Sequence, residues 1–447
     1  MSSESVLEPL LLSFSSAFSR PTFETFRTLV HGAILAPGRR TIAGILRASG
    51  EMATKHFSTY HRFLSSPCWD SWKLSWILME LVLLLVPVGV IRLMVDDTTC
   101  RRWGPKVFEK GCHRDAVRST KSHTILCFGH KWVTLSVLVT LPFTKRAWSL
   151  PIAALLYRKP SKDENDKRRH RTLEDLAKIL IYSTVRRFRN RTFEVVGDGG
   201  YGSNEFSNGC HQLGVELVSR LRIDSVLYDE PEPRVKGQRG RPRTKGKRQL
   251  AFKERVAQAE EAEWTCGQVA WYAGKEKAVR WLTGLGLRYK PKTKLPLIRW
   301  VVVQDIETGH WECFFSTDID ASAPSIIEAY VTRWALEVTY QEVREHLGLE
   351  TSKNWCQNSV ERTVPCLLGL FTLVTLCFER ICQTSMPQPR QNAWYHKPEL
   401  TFSDAMLAVR KMLWTRLIFH DSPENGGFMK IEKSRWEFLS ERLAATG

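Results

Sequence analysis

Apolar positions along this chain switch from helical spacing to strand spacing and back, and the switches outline its organisation. In the first 88 residues they recur every three or four positions: "PTFETFRTLVHGAIL" predicts one helix, and "TKHFSTYHRFLSS" another after the break at "PGRRT". From Val88 the pattern shortens. The stretches "GVIRLMVDDTT", "KWVTLSVLVTLP" and "LPIAALLY", rich in β-branched and aliphatic residues, predict three successive strands. Helical spacing returns in "TLEDLAKILIYSTVRRF", which opens with Thr172 and Asp175 at capping-box spacing; "TFEVVGDGG" then predicts a short strand ending in a glycine-flanked acid.

Residues 208–312 differ in texture: an acidic, proline-rich turn "YDEPEPR", a basic run "VKGQRGRPRTKGKR", then strand-like pieces such as "LIRWVVVQD" and "WECFFSTDID". They predict a β-rich insertion. Three helical segments follow, "YVTRWALEVTYQEVREHLG" (330–348), "VPCLLGLFTLVTLCFERICQ" and "LTFSDAMLAVRKMLW". The chain therefore divides into a helical unit over 1–88, an α/β core over 89–207 and 313–390 interrupted by the insertion, and a helical tail over 391–447. Trp76–Val95 is apolar, but Glu80, Pro87 and Arg92 interrupt it, so a buried helix followed by a strand is expected and no membrane span.

Charge adds a partner. The formal net charge of +18 and a pI near 9.5 favour a polyanion, because Lys and Arg displace counterions from phosphates. Nucleic acid leads. Arg39, Arg40, Lys55, His56, Tyr60, His61 and Arg62 form either a DNA-binding face on the helical unit or a solvated structural one. The eleven cysteines contain no CxxC pair, which points to a reducing cytoplasm. The start "MSSESVLEPLLLSF" lacks the basic region of a secretory signal.

Candidate chemistry rests on acids at element ends. Asp96 and Asp97 close an apolar strand and must face opposite ways; Asp198 ends "FEVVGD" before "GGYG", where the bland alternative is an Asx turn. On an ideal helix, Arg333, Glu337 and Arg344 fall within about 60° of Tyr330, whereas Glu342 lies about 120° away on the other side and Glu345 at roughly the edge. Glu337 is thus the acid that shares a stripe with Tyr330 and the two arginines. Three carboxylates from two strand ends and a helix suit a two-metal phosphoryl-transfer site, since hard oxygen ligands hold Mg2+ and leave positions for water and phosphate.

"VDDTT", "VVGDGGYG" and "YVTRWALEVTYQEVR" together resemble the DDE transposases of the IS4 and IS701 insertion-sequence group, over roughly residues 90–375. The group's helix signature runs Tyr, Arg, Glu, Lys; here it reads Tyr330, Arg333, Glu337 and Arg344, with Arg in place of the final Lys. The resemblance implies an RNase H-like core, a mixed sheet flanked by helices. It implies Asp97, Asp198 and Glu337 as catalytic, metal-binding residues, Asp97 because it directly precedes Thr98, with Asp96 as the alternative. It further implies that Tyr330, Arg333 and Arg344 hold the DNA backbone, that two Mg2+ ions serve as cofactor with Mn2+ able to substitute, and that a homodimer acts on double-stranded DNA at the bacterial nucleoid. The activity implied is cleavage at the ends of an element followed by strand transfer into a target. The competing readings are a non-catalytic DNA-binding derivative and a stand-alone RNase H-like nuclease.

Three further features remain. Arg239 and Arg241 sit in an AT-hook-like "RGRP" that suits a minor groove, or else a solvated basic loop. Trp264, Trp271, Trp281 and Trp300 are core residues or platforms for an unstacked base. His123 and His130 near Cys127 lack the further ligands a metal would need and read as core histidines.

Overall fold

The strand carrying the paired acids is β1 (Ile91–Arg101), and its Leu93, Met94 and Val95 have no exposed surface. A strand that apolar must be covered on both faces. The computed structural model of the chain describes residues 6–445 apart from 67, 116–117, 121, 162–166, 234–240, 291–296, 390 and 420–431. Before β1 come five helices, α1 (Leu7–Leu12), α2 (Arg20–Leu35), α3 (Ile42–Ser49), α4 (Phe57–Ser65) and α5 (Ser71–Leu83). The stretch around Trp76 is indeed helix followed by strand.

After β1 the chain forms β2 (Gly111–Arg114), β3 (Leu126–Thr140), β4 (Ala147–Tyr157), α6 (Leu173–Arg187) and β5 (Phe193–Gly197). The predicted capping box is present: Thr172 Oγ1 accepts from Asp175 N at 3.1 Å, and Asp175 Oδ2 accepts from Thr172 N at 3.0 Å. Next come α7 (Asn204–Gln212), β6 (Glu216–Leu221), α8 (Phe252–Gln258), β7 (Thr265–Ala270), β8 (Glu276–Leu287), β9 (Leu297–Asp305) and β10 (Trp311–Ser316). The chain closes with α9 (Ala323–Val331), α10 (Trp334–Leu347), α11 (Gln357–Thr384), a two-stranded hairpin of β11 (Gln391–Asn392) and β12 (Tyr395–His396), α12 (Phe402–Phe419) and α13 (Lys433–Ala445).

One ten-stranded sheet runs β2-β3-β1-β5-β6-β10-β9-β8-β7, with β4 on the outer side of β3. Pairing is antiparallel except for β1 with β5 and β5 with β6, so the expected mixed sheet flanked by helices is what forms. The predicted insertion is not a separate layer. Within 208–312, β6 is a central strand beside β5; β10, which straddles the end of that range, pairs with it, and β9, β8 and β7 extend the same sheet outward. Alternation alone could not show this, because a strand reads the same at a sheet's centre or in an appendage.

The N-terminal helices are likewise fused to the core. Arg410 of α12, buried, donates to the Ile34 and Ala36 carbonyls at the end of α2 (2.7 and 3.2 Å), and α11 packs against α4, α5 and β4. Helix α11 is long and apolar enough to cross a bilayer, but 72% of that apolar stretch is buried inside this fold.

Candidate active site

Side chains alternate along β1, and this decides where each of its two acids points. Asp96 turns toward α10: its Oδ2 accepts from Arg333 Nη1 at 3.0 Å, while Tyr340 on the same helix donates to the Asp96 carbonyl at 3.2 Å. Asp97 turns the other way. Its Oδ2 lies 2.8 Å from Lys131 Nζ on β3, and its Oδ1 accepts from the Tyr201 hydroxyl at 3.3 Å.

Asp198 follows β5 directly, and because β5 lies parallel beside β1 with Gly197 opposite Val95, it comes level with Asp96 and Asp97, which lie midway along β1 and do not close the strand as expected. Its Oδ1 accepts from Gly200 N at 2.8 Å, which is the expected Asx turn, and Ser219 on β6 donates to its carbonyl at 2.7 Å. The turn packs closely: a Cβ on Gly197 would come within 2.8 Å of the Tyr201 Cβ, so only glycine fits there. The turn role and a site role are compatible, since Asp198 is near enough for its charge to act on Asp96.

Residues 330–348 do not form one helix. Tyr330 belongs to α9, and the chain tightens at Thr332 and Arg333, with Arg333 N donating to the Tyr330 carbonyl and Leu336 N to that of Arg333 (3.1 and 3.0 Å). These three-residue bonds reset the angular order. The stripe beyond the break survives: Arg333 Nη2 lies 2.7 Å from Glu337 Oε1, and Arg344 reaches the Thr98 hydroxyl and, at 3.3 Å, the Thr99 carbonyl. Glu342 faces elsewhere, 3.2 Å from His346, and Glu345 is exposed. Tyr330 is buried with its ring stacked on Phe314 at 4.2 Å, and Arg333 lies 5.8 Å from that ring.

Asp96, the alternative of the pair, is therefore the acid that turns toward Arg333 and Glu337, while Asp97, which the resemblance implies, turns toward Lys131 and Tyr201. The reason is strand alternation combined with the position of α10. Burial pushes the Asp96 carboxyl up to about 7 against the attraction of Arg333, and the charges of Asp198 and Asp97 add to the rise. Burial pulls the Arg333 guanidinium down, but Asp96 and Glu337 outweigh it and raise it. Burial likewise pushes the Tyr330 phenol up to about 12.

A divalent metal fits this face in chemistry. The acids offer hard oxygen donors, and the protein itself already seats a cation between Asp96 and Glu337, the Arg333 guanidinium, whose buried Nε has no acceptor. Among the described residues no three carboxylates converge on one point, because Arg333 occupies the gap.

The other residues singled out in the sequence differ widely in exposure. Arg344 is partly exposed, whereas Tyr330 and Arg333 are largely buried. Arg239 lies outside the described residues, and Arg241 is exposed in coil. Trp264, Trp281 and Trp300 are buried in the outer strands, and Trp271 is partly buried beside Tyr272. His130 is fully buried with Nε2 2.7 Å from the Phe108 carbonyl, a core histidine. Of the basic N-terminal residues, Arg40 and Tyr60 are buried while Arg39, His56, His61 and Arg62 are exposed, so they do not make one face. Lys131 and Tyr201 meet Asp97, and Tyr340 meets Asp96; in the sequence the signals for the first two are the isolated cation at the head of "KWVTLSVLV" and the tyrosine in "GDGGYG".

Residues 13–285, well over half of the 447, match the family of DDE superfamily endonucleases. The chain belongs to that family. Members act on DNA as nucleases of transposase type and generally use divalent metals. The matched span includes Asp96, Asp97 and Asp198 and ends before α10, so Glu337 lies outside it. No curated protein matches the chain.

Proposed function

We propose that this DDE endonuclease is the transposase of an insertion sequence of the IS4 and IS701 type, cutting at the element's ends and joining them to target DNA, as a dimer in the bacterial cytoplasm. The observation that carries the reading is the convergence of β1, the end of β5 and α10 on one face, through Asp96, Asp198, Arg333 and Glu337.

Asp96, Asp198 and Glu337 would hold the divalent metal, Mg2+ or Mn2+, which when bound stabilises charge on the phosphate and lowers the pKa of water. The chain's own groups supply the rest. Buried Asp96 stands in a low-dielectric setting where its carboxylate would act strongly on a cation held beside it. Tyr340 and Arg344 lock α10 to β1 at Asp96, Thr98 and Thr99, so Glu337 keeps its distance from Asp96. Arg333 and Arg344 leave two guanidiniums on the face where an anionic backbone must lie, and Arg offers the planar fork that suits phosphate. Outer strands β7 and β8 reach this helix pair through the Ala270 N bond to Glu328 (3.0 Å) and the Tyr272 contact with Trp334 (5.8 Å), which leaves two exposed aromatic rings beside the site.

The test is cleavage of a duplex containing the element's end with Mg2+. Glu337→Gln abolishes cutting and spares binding, whereas Glu342→Gln, paired to His346 away from the site, cuts like the parent. Equal cleavage by both variants would overturn the reading.

A further inference from the structure

Strand β4 pairs with β3 on one side only, and a cavity of about 490 Å3 opens along its other edge, between α5 and α11 on one wall and α6 on the other. Four arginines line it, Arg158, Arg168, Arg169 and Arg171, against one acid, Glu361. Arg158 pairs with Glu361 and Arg168 with Glu109. Arg169 and Arg171 are exposed and make no hydrogen bond or ion pair among the described residues. The rim of the cleft therefore carries positive charge that suits an anionic ligand.

The cavity lies at the catalytic end of the sheet. Its Ala154 pairs with Thr134, and Thr134 pairs with Asp96. Two strand spacings of about 4.8 Å place the cleft roughly 10 Å from β1 at the level of Asp96. One DNA strand advances about 3.4 Å per nucleotide, so that distance is about three nucleotides.

We propose that this cleft is a second phosphate site, holding a backbone phosphodiester of the DNA about three nucleotides from the bond cut at Asp96. Its donors are Arg169 and Arg171. The position of the cleft relative to the cut rests on the function proposed above; the phosphate site itself does not. An open cleft along a sheet edge, with its free arginines at the rim, suits a polymer passing over it better than an enclosed ion.

The test is equilibrium binding of the full chain to a fluorescent duplex in EDTA, where nothing is cut, across about 50 to 200 mM salt. Arg169→Ala/Arg171→Ala is expected to weaken binding about tenfold and to lower the slope of log affinity against log salt by about 1 to 2, with the parent's melting temperature. Arg189→Ala, exposed in the turn after α6 and not lining the cleft, serves as the comparison for loss of any surface charge. An unchanged slope and affinity in the double variant would overturn the proposal. A second arm titrates inorganic phosphate and follows tryptophan fluorescence. Saturation in the parent but not in the double variant, with the DNA slope unchanged, would make this a free-phosphate site and overturn the DNA assignment. Because binding in EDTA needs no catalysis, a chain that never cuts DNA leaves the phosphate site standing, and a failed double variant leaves the cleavage test standing.

Discussion

Arg333 donates to Asp96 at 3.0 Å across the gap between α10 and β1, and so puts a fixed cation beside a buried acid. Its other nitrogen holds Glu337 at 2.7 Å. Removing the guanidinium leaves two acids facing each other. In EDTA, Arg333→Ala is expected to lower stability by about 3 kcal/mol, the low end for breaking a buried pair because Asp96 then takes up a proton. Mn2+ should raise the melting temperature of the variant more than that of the parent, since a cation that binds only the folded state stabilises it by mass action. Calorimetry with and without Mn2+ checks both; equal shifts in the two proteins would contradict the arrangement.

Glu8 predicts an acid-sensitive N-terminal unit. Burial alone would raise its carboxyl, but the hydrogen bonds and charges of His31 and Arg27 outweigh that and lower it from 4.5 to about 2. A depressed carboxyl stabilises the fold above its unfolded pKa and loses that contribution as pH falls toward its folded one. The window is therefore pH 4.5 down to about 2. Glu8→Gln should cost about 1.5–3 kcal/mol at pH 7, the range for hydrogen bonds to charged groups, and should flatten the acid limb of a stability curve measured by denaturant titration.

The capping box of α6 predicts a smaller, local effect. Thr172→Ala removes the acceptor for Asp175 N and should cost about 1 kcal/mol, with Thr172→Ser recovering most of it. Thermal melts of the three proteins give the comparison.

Much of this was legible in the sequence because the signals were local. The cap at Thr172 and Asp175, the apolar run into Asp96 and Asp97, and the Asx turn at Asp198 depend on near neighbours. Glu337 could be separated from Glu342 by helical angle alone, even though Arg333 tightens the chain and puts Tyr330 on a different helix. What was not legible depended on partners distant in sequence. Whether Asp96 or Asp97 faces the site is set by the side of β1 on which α10 packs, some 240 residues later in the chain. That β6 is a central strand while β7 is an outer one is likewise a matter of which strands find each other. Motif position favoured Asp97; three-dimensional alternation favours Asp96.

Cleavage by variants of those two acids shows which face of β1 does the chemistry. With Mg2+ and an end-containing duplex, Asp96→Asn is predicted to reduce cleavage by on the order of 10²–10³, the scale for losing one preorganised electrostatic group. Asp97→Asn, which loses only its contacts with Lys131 and Tyr201, is predicted to keep cutting within about tenfold of the parent. Abolished cleavage in Asp97→Asn beside a near-normal Asp96→Asn would contradict the account.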